Sequence, residues 1–189
     1  MNRSYLQKFQ IKDVVFLAIM SAVALVTCAV MPLVISLQPL IFGISQLVTA
    51  LQIGVFFAIG LYKVRKPGSL LIMALMMGLI QLMMSPPMFL SSVLNGVLIE
   101  LIVLLLFRGY EKDAAVFCAA MLHTPLSLPF NYLYNRLIKG ADSPLAAVAD
   151  RAPLAAVGMT LAVVAVSALG ALIGIKIARE LKKSGVLKK

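Results

Sequence analysis

A carboxylate and an amide interrupt an apolar run that is long enough to cross a bilayer. The run "SSVLNGVLIELIVLLLF", residues 91–107, carries Asn95 and Glu100. An uncompensated carboxylate in hydrocarbon costs about 3 kcal/mol even on lenient insertion scales, so a partner must offset that cost. Two interpretations are open for Glu100. It takes part in ligand binding or transport, or it is a protonated or paired group that joins two helices.

The segment "HTPLSLPFNYLYN", residues 123–135, is the second concentration of polar groups in an apolar region. His123 is a candidate partner for Glu100 or, alternatively, a packing residue. Pro125 and Pro129 remove backbone donors, which is tolerated at membrane depth where protein or a wet cavity satisfies the freed carbonyls. The amides and aromatic rings that follow suit a small, flat, polar ligand, or form an interfacial belt. These residues are Asn131, Tyr132, Tyr134 and Asn135.

Further amides and a hydroxyl occur in two other apolar runs. Gln46, Thr49 and Gln52 lie in one run, and Gln81 lies near the end of the next. Such groups more often join helices by hydrogen bonds than contact a ligand. Gln81 lies near the outer end of its run, and we include it among the candidate substrate-binding residues. The full candidate set is Gln81, Asn95, Glu100, His123, Asn131, Tyr132 and Asn135.

Motifs for catalysis and metal binding are missing from the sequence. It has no Walker A loop, no HExxH, no GxSxG and no acidic cluster. Cys28 and Cys118 lie inside apolar runs with no neighbouring His or Cys. We therefore predict no catalytic residue, no metal and no cofactor, and a chain that cannot hydrolyse ATP by itself.

The elements that position these groups are membrane helices. The 189 residues are 62% hydrophobic and 13% charged, which leaves too few polar residues to cover a water-facing surface. Runs of about 20 apolar residues predict a single all-α domain, residues 1–189, that forms a compact bundle of six transmembrane helices. The predicted spans are roughly 13–35, 40–62, 68–85, 88–107, 114–135 and 153–176.

The net charge is +10. The positions of the basic residues indicate membrane topology and do not indicate nucleic-acid binding. Most Lys and Arg residues lie in the N-terminus, in segments 63–66 and 108–112, and in the C-terminal tail. By the positive-inside rule, both termini are cytoplasmic. The longest external segment, 136–152, is either a mobile lid over an outward-facing site or a plain connector.

The motifs resemble those of the substrate-binding S components of energy-coupling factor (ECF) transporters. Ala18 and Ala22 form a small-xxx-small pair in the first span, which resembles the motif by which S components dock onto a transmembrane T component. The stretch "YKVRKPGSLL", residues 62–71, and "NGVLIE", residues 95–100, resemble the YkoE-like, thiamine-related branch. The resemblance covers the organisation of most of the chain, and the motifs of spans one to four.

This resemblance implies a vitamin-binding subunit of an ATP-driven importer in a bacterial or archaeal cell membrane. Its partners would be the lipid bilayer, the T component and two cytosolic ATPases. Thiamine or a hydroxymethylpyrimidine-like precursor is favoured, with Glu100 facing a cationic or strongly hydrogen-bonding ligand. The chain has no Trp, so Phe130, Tyr132 and Tyr134 would stack on the ligand. Two other classes stay open, a stand-alone facilitator or channel and a non-transporting scaffold subunit.

Overall fold

The computed structural model describes residues 8–28, 34, 36–37, 40–83, 85–140 and 143–187. All regular elements in these residues are helices, which confirms the all-α prediction for this part of the chain. They are α1 (Ile11–Thr27), α2 (Ile44–Lys63), α3 (Ser69–Leu82), α4 (Pro86–Phe107), α5 (Asp113–Ile138), α6 (Pro144–Arg151) and α7 (Pro153–Lys183).

Six of these helices lie where the six spans are predicted. Three of them, α2, α4 and α7, are long and apolar enough to cross a membrane, and α3 is apolar but shorter. The count of six spans and the side of the membrane on which the termini lie stay predictions.

The structure differs most from the predicted spans at three places. Helix α1 ends at Thr27, before the predicted limit of 35, and part of that remainder lies outside the described residues. Helix α7 continues past 176 to Lys183, because hydropathy marks where an apolar run ends and not where a helix ends. The predicted 136–152 segment contains α6. Pro144 at its first turn and the Ser143 hydroxyl, which accepts from the Ala146 N–H, favour a helix there.

The long helices are arranged as a ring. Helix α1 packs on α2 and α3, α3 packs on α4, α4 packs on α5, and α5 and α2 both pack on α7. Helices α2 and α5 also meet across the middle of the ring. This crossing brings polar side chains of both helices, Gln46 on α2 and His123 on α5, to the same interior.

Glycines allow α2 and α7 to pack backbone to backbone. A Cβ atom added at Gly170 would meet the carbonyl of Leu51, and one added at Gly174 would meet the carbonyl of Val55. Gly96 likewise lets α4 approach Ala74 of α3 closely, beside Asn95. Close helix contacts of this kind maximise dispersion in an environment where no hydrophobic force drives helices together.

Helix α5 passes through both of its prolines without ending. Pro125 has no N–H to donate to the carbonyl of Met121, one turn earlier. The hydroxyl of Ser167 on α7 donates to that carbonyl at 2.8 Å instead. A neighbouring helix therefore satisfies one group that a proline leaves free, as predicted for proline at membrane depth.

The segments between α2 and α3 and between α4 and α5 meet α7 at one end of the bundle, which we call the basic end. Arg65 donates to the carbonyl of Glu111 and, like Arg179, pairs with Asp113. Lys66 pairs with Asp13 at 2.7 Å, which brings α1 to the same end. The sequence analysis assigned these basic segments to one side of the membrane, and the ion pairs bring them into contact with each other.

Candidate functional site

A cavity of about 370 Å³ lies at the opposite end of the bundle from these pairs. Helices α2 to α6 all contribute to its wall. Its volume is within the range of small-molecule sites, which is roughly 300–1,000 Å³. Hydroxyls and amides dominate its polar lining: Gln46, Thr49, Gln81, Ser85, Ser91, Ser92, Asn95, Thr124, Ser127, Asn131 and Asn135.

Three side chains at the buried floor of this cavity have unused hydrogen-bonding capacity. Asn95 is 1% exposed, His123 5% and Thr124 3%. The Oδ1 atom of Asn95, both ring nitrogens of His123 and the hydroxyl of Thr124 have no hydrogen-bond partner. Leaving a buried polar group unpaired costs about 1–3 kcal/mol, so these atoms are available to hydrogen-bond to water or to a ligand that enters the cavity.

The ring of His123 is held in place by an aromatic contact. Its centroid lies 4.4 Å from that of Phe57 on α2, with the planes tilted by 48°. This contact orients the imidazole without using either nitrogen. The residue is therefore both a packing residue, one of the two roles weighed from the sequence, and a polar group facing the cavity.

The outer part of the cavity lies along the last turns of α5. The amide nitrogens of Asn131 and Asn135 donate to carbonyls one turn earlier on the same helix, at 2.9 and 2.8 Å. Each side chain keeps its carbonyl oxygen as an acceptor and its second N–H as a donor for a ligand. Lys139 and Tyr134 complete this side, with the ammonium 5.9 Å from the ring centroid.

The structure brings together five of the seven substrate-binding residues predicted from the sequence. They are Gln81, Asn95, His123, Asn131 and Asn135, which all line the cavity. Glu100 and Tyr132 are not among the lining residues.

Glu100 lies against the N-terminus of α3, towards the basic end. Its Oε1 atom accepts from the backbone N–H of Gly68 at 2.6 Å, and its Oε2 atom accepts from the hydroxyl of Tyr110 at 2.9 Å. Asn95 is five residues earlier on α4, about 140° around the helix, so the two side chains point in different directions. The cost of burying this carboxylate is thus offset by the start of a helix and a phenol.

The proposed pairing of Glu100 with His123 does not form, because neither imidazole nitrogen has a partner. Instead, the hydroxyl of Tyr110 donates to the carboxylate of Glu100. Burial, together with the neighbouring charge of Glu100, raises the pKa of the Tyr110 hydroxyl far above its usual range. The hydroxyl therefore keeps its proton for this hydrogen bond.

Tyr132 takes part in a contact between α5 and α6. Its hydroxyl donates to Asp150 at 2.7 Å and accepts from Arg136, which also pairs with Asp150. Helix α6 contributes Pro144 and Leu145 to the cavity wall at its other end. Tyr132 therefore contacts a helix that contributes to the cavity wall, and is not itself among the lining residues.

Several lining residues were not predicted, although the sequence contains a signal for them. Thr124 and Ser127 precede the predicted residues Asn131 and Asn135 at spacings of three and four residues, which places all four on one face of a helix. Ser91 and Ser92 precede Asn95 at the same kind of spacing. Searching the apolar runs for this spacing of small polar residues identifies the wall of the cavity.

Ala18 and Ala22 lie outside the cavity, on α1. Both are half-buried, next to the face that packs into the bundle through Leu17 and Ser21. Ile19 is 50% exposed on the same side of the helix. The pair is thus at the edge of an apolar surface that the bundle does not cover.

The groups that line the cavity are suited to binding a small ligand. In the described residues, no group of three or more His, Cys, Asp or Glu side chains is placed to hold a metal ion. The cavity supplies hydrogen-bond donors and acceptors with apolar side chains such as Ile53 and Met77 between them. This combination is typical of a site that fixes the orientation of a small ligand.

A bundle of apolar helices around such a cavity defines the chain as a membrane protein. It belongs to a family described as "Hypothetical bacterial integral membrane protein (Trep_Strep)", which matches residues 11–183. A solved structure, "Crystal structure of an S-component of ECF transporter", has a similar fold, with a TM-score of 0.66 and 22% sequence identity. The similarity covers 95% of this chain and 89% of that one. No curated protein matches the sequence.

Proposed function

We propose that the protein is the substrate-binding S component of an ECF-type importer. The observation that carries this proposal is the cavity, whose buried floor leaves the polar atoms of Asn95, His123 and Thr124 unpaired. The fold shared with an S component supports the same function. The subunit captures a small water-soluble vitamin or precursor and has no catalytic step of its own.

The cavity end faces outwards and the basic end faces the cytoplasm in this proposal, in six spans across the cell membrane. The placement of Arg65, Lys66 and Arg179 at one end supports this orientation. The partners would be a transmembrane T component, which docks at Ala18 and Ala22, and two cytosolic ATPases that supply the energy.

A stand-alone channel or facilitator is less well supported, because the cavity does not continue through the bundle. Apolar side chains fill the space between the cavity and the basic end. Among those that are fully buried are Phe57, Leu61, Leu70, Met73 and Val103. A non-transporting scaffold would have no use for unpaired polar atoms at a cavity floor.

Thiamine or a hydroxymethylpyrimidine-like precursor remains the proposed ligand class. An aminopyrimidine offers adjacent donors and acceptors to the amides and hydroxyls of the cavity. Glu100 no longer supports the choice, since its carboxylate is bonded to Gly68 and Tyr110.

Co-expression with a T component and its two ATPases tests the function. We expect the wild-type chain to co-purify with them and to confer uptake of the ligand. The double variant Ala18→Leu, Ala22→Leu should lose both co-purification and uptake while it still binds ligand alone. Ala165→Leu, on the exposed face of α7, is the matched control and should assemble normally. A wild-type chain that never co-purifies with such a module would refute the proposal.

A further inference from the structure

We propose that the cavity selects an uncharged ligand with an edge that both donates and accepts hydrogen bonds, and that it discriminates against cations. Asn95, His123 and Thr124 would form the hydrogen bonds to that edge. This inference rests on the proposed function and names the class of ligand for the same site. Of the two candidates above, it favours the neutral pyrimidine over thiamine.

The hydrogen-bonding character of the floor is the first reason. The unpaired Oδ1 of Asn95 accepts, the two nitrogens of a neutral imidazole donate and accept, and the hydroxyl of Thr124 does either. A ligand edge that only accepts, or only donates, would leave at least one of these buried atoms unsatisfied. A planar heterocycle with an amide-like or amidine-like edge satisfies both kinds.

The charge distribution around the cavity is the second reason. Among the described residues of its lining, Lys139 is the charged side chain and none is a carboxylate. The carboxylate of Glu100 is directed away from Asn95, into the N-terminus of α3 and the hydroxyl of Tyr110. A cation moved from water into this site would lose its hydration without gaining an opposite charge from the described lining residues.

A matched pair of probes separates charge from shape. Thiamine carries a permanent thiazolium charge, and an analogue with a thiophene ring in its place has the same shape without the charge. We expect calorimetric titration of the purified full chain to show at least tenfold tighter binding of the neutral analogue. The hydroxymethylpyrimidine alone should also bind.

Variants of the floor test which residues read the ligand. Asn95→Leu and Thr124→Val should each weaken binding of the neutral analogue at least tenfold. Thr160→Val is the control, because the Thr160 hydroxyl bonds to Ala156 on its own helix, outside the cavity. Asn95→Asp keeps the shape of the side chain and adds a negative charge, so it should shift the preference towards thiamine. Melting temperatures establish that each variant is folded.

The possible outcomes are distinct. Thiamine binding as tightly as the neutral analogue, or folded floor variants that bind normally, would overturn the inference. If neither probe binds but the chain assembles with the T component and ATPases, this ligand class is wrong and the proposed function stands. Failure of both binding and assembly would overturn the two proposals together.

Discussion

The carboxylate of Glu100 on α4 accepts a hydrogen bond from the backbone N–H of Gly68, the residue that caps the N-terminus of α3. Gly68 adopts a left-handed conformation, with φ of 91°, which a glycine reaches without strain. The two motifs that resemble the thiamine-related branch, around Arg65–Gly68 and around Asn95–Glu100, thus meet at this bond. Glu100 joins α3, α4 and the segment that carries Tyr110.

Replacement of Glu100 should reduce stability and leave ligand binding unchanged. Glu100→Gln retains the shape but removes the charge at the start of α3, and we expect a loss of about 1–3 kcal/mol in the free energy of unfolding. Ligand affinity, measured by titration, should stay within about twofold of wild type. Neither Glu100 nor its hydrogen-bond partners Gly68 and Tyr110 line the cavity.

A second pair of variants checks the role of Tyr110 in that contact. Glu100→Leu leaves the buried Tyr110 hydroxyl without its partner and should be more damaging than Glu100→Gln. Adding Tyr110→Phe should restore part of the stability. A Glu100→Gln protein that melts normally but loses its ligand would return Glu100 to the binding site.

Close packing of α2 on α7 should make Gly174 intolerant of a side chain. Gly174→Ala forces a methyl group against the backbone of Val55, at an expected cost of about 1–3 kcal/mol. Gly158→Ala, on the same helix, has open space around the added methyl group and should be neutral or stabilising by about 0.5–1 kcal/mol. Thermal melting in detergent compares the two, and equal melting temperatures would contradict this packing.

The hydrogen bond from Ser167 should matter only because Pro125 lacks an N–H. Ser167→Ala leaves the Met121 carbonyl unpaired and should cost about 1–3 kcal/mol. In a Pro125→Ala background, the restored N–H of residue 125 can reach that carbonyl, so the same Ser167→Ala change should cost much less. A double-mutant cycle of melting temperatures measures this coupling. Independent effects of the two substitutions would argue against the compensation.

If the segment 136–152 is a lid, helix α6 should slow the release of the ligand, since its Pro144 and Leu145 line the cavity. Asp150→Ala removes its contacts with Tyr132 and Arg136. These contacts are partly exposed and worth less than about 1 kcal/mol, so we expect dissociation to be about two- to fivefold faster. Stopped-flow measurement of ligand release tests this.

The control for this experiment removes a similar surface contact at the basic end. Glu180→Ala deletes the ion pair with Lys183 and should leave the rate of release unchanged. An unchanged rate in Asp150→Ala would mean that 136–152 is a plain connector, the other interpretation of that segment.

Composition and periodicity were sufficient to predict the all-α class and the positions of the long helices, because they depend on local properties of the chain. An apolar run of about 20 residues has to satisfy its backbone hydrogen bonds internally, whichever helices surround it. The same reasoning found Asn95, His123 and Asn131, since polar groups in apolar runs stand out without any knowledge of their neighbours. It did not find α6, whose eight residues lie in a segment marked by Gly140 and two prolines.

Which polar residues share a site depended on how the helices are rotated against each other. Asn95 and Glu100 are five residues apart on one helix, and only the packing of α4 between α3 and α5 directs one to the cavity and the other to Gly68. Likewise, Tyr132 and Asn131 are adjacent in sequence, yet one contacts Asp150 and the other lines the cavity. A helix turns by about 100° per residue, so small differences in rotation decide the partner of each side chain. Those rotations are set by contacts between distant segments, such as Gly174 with Val55, and not by the residues nearby in the sequence.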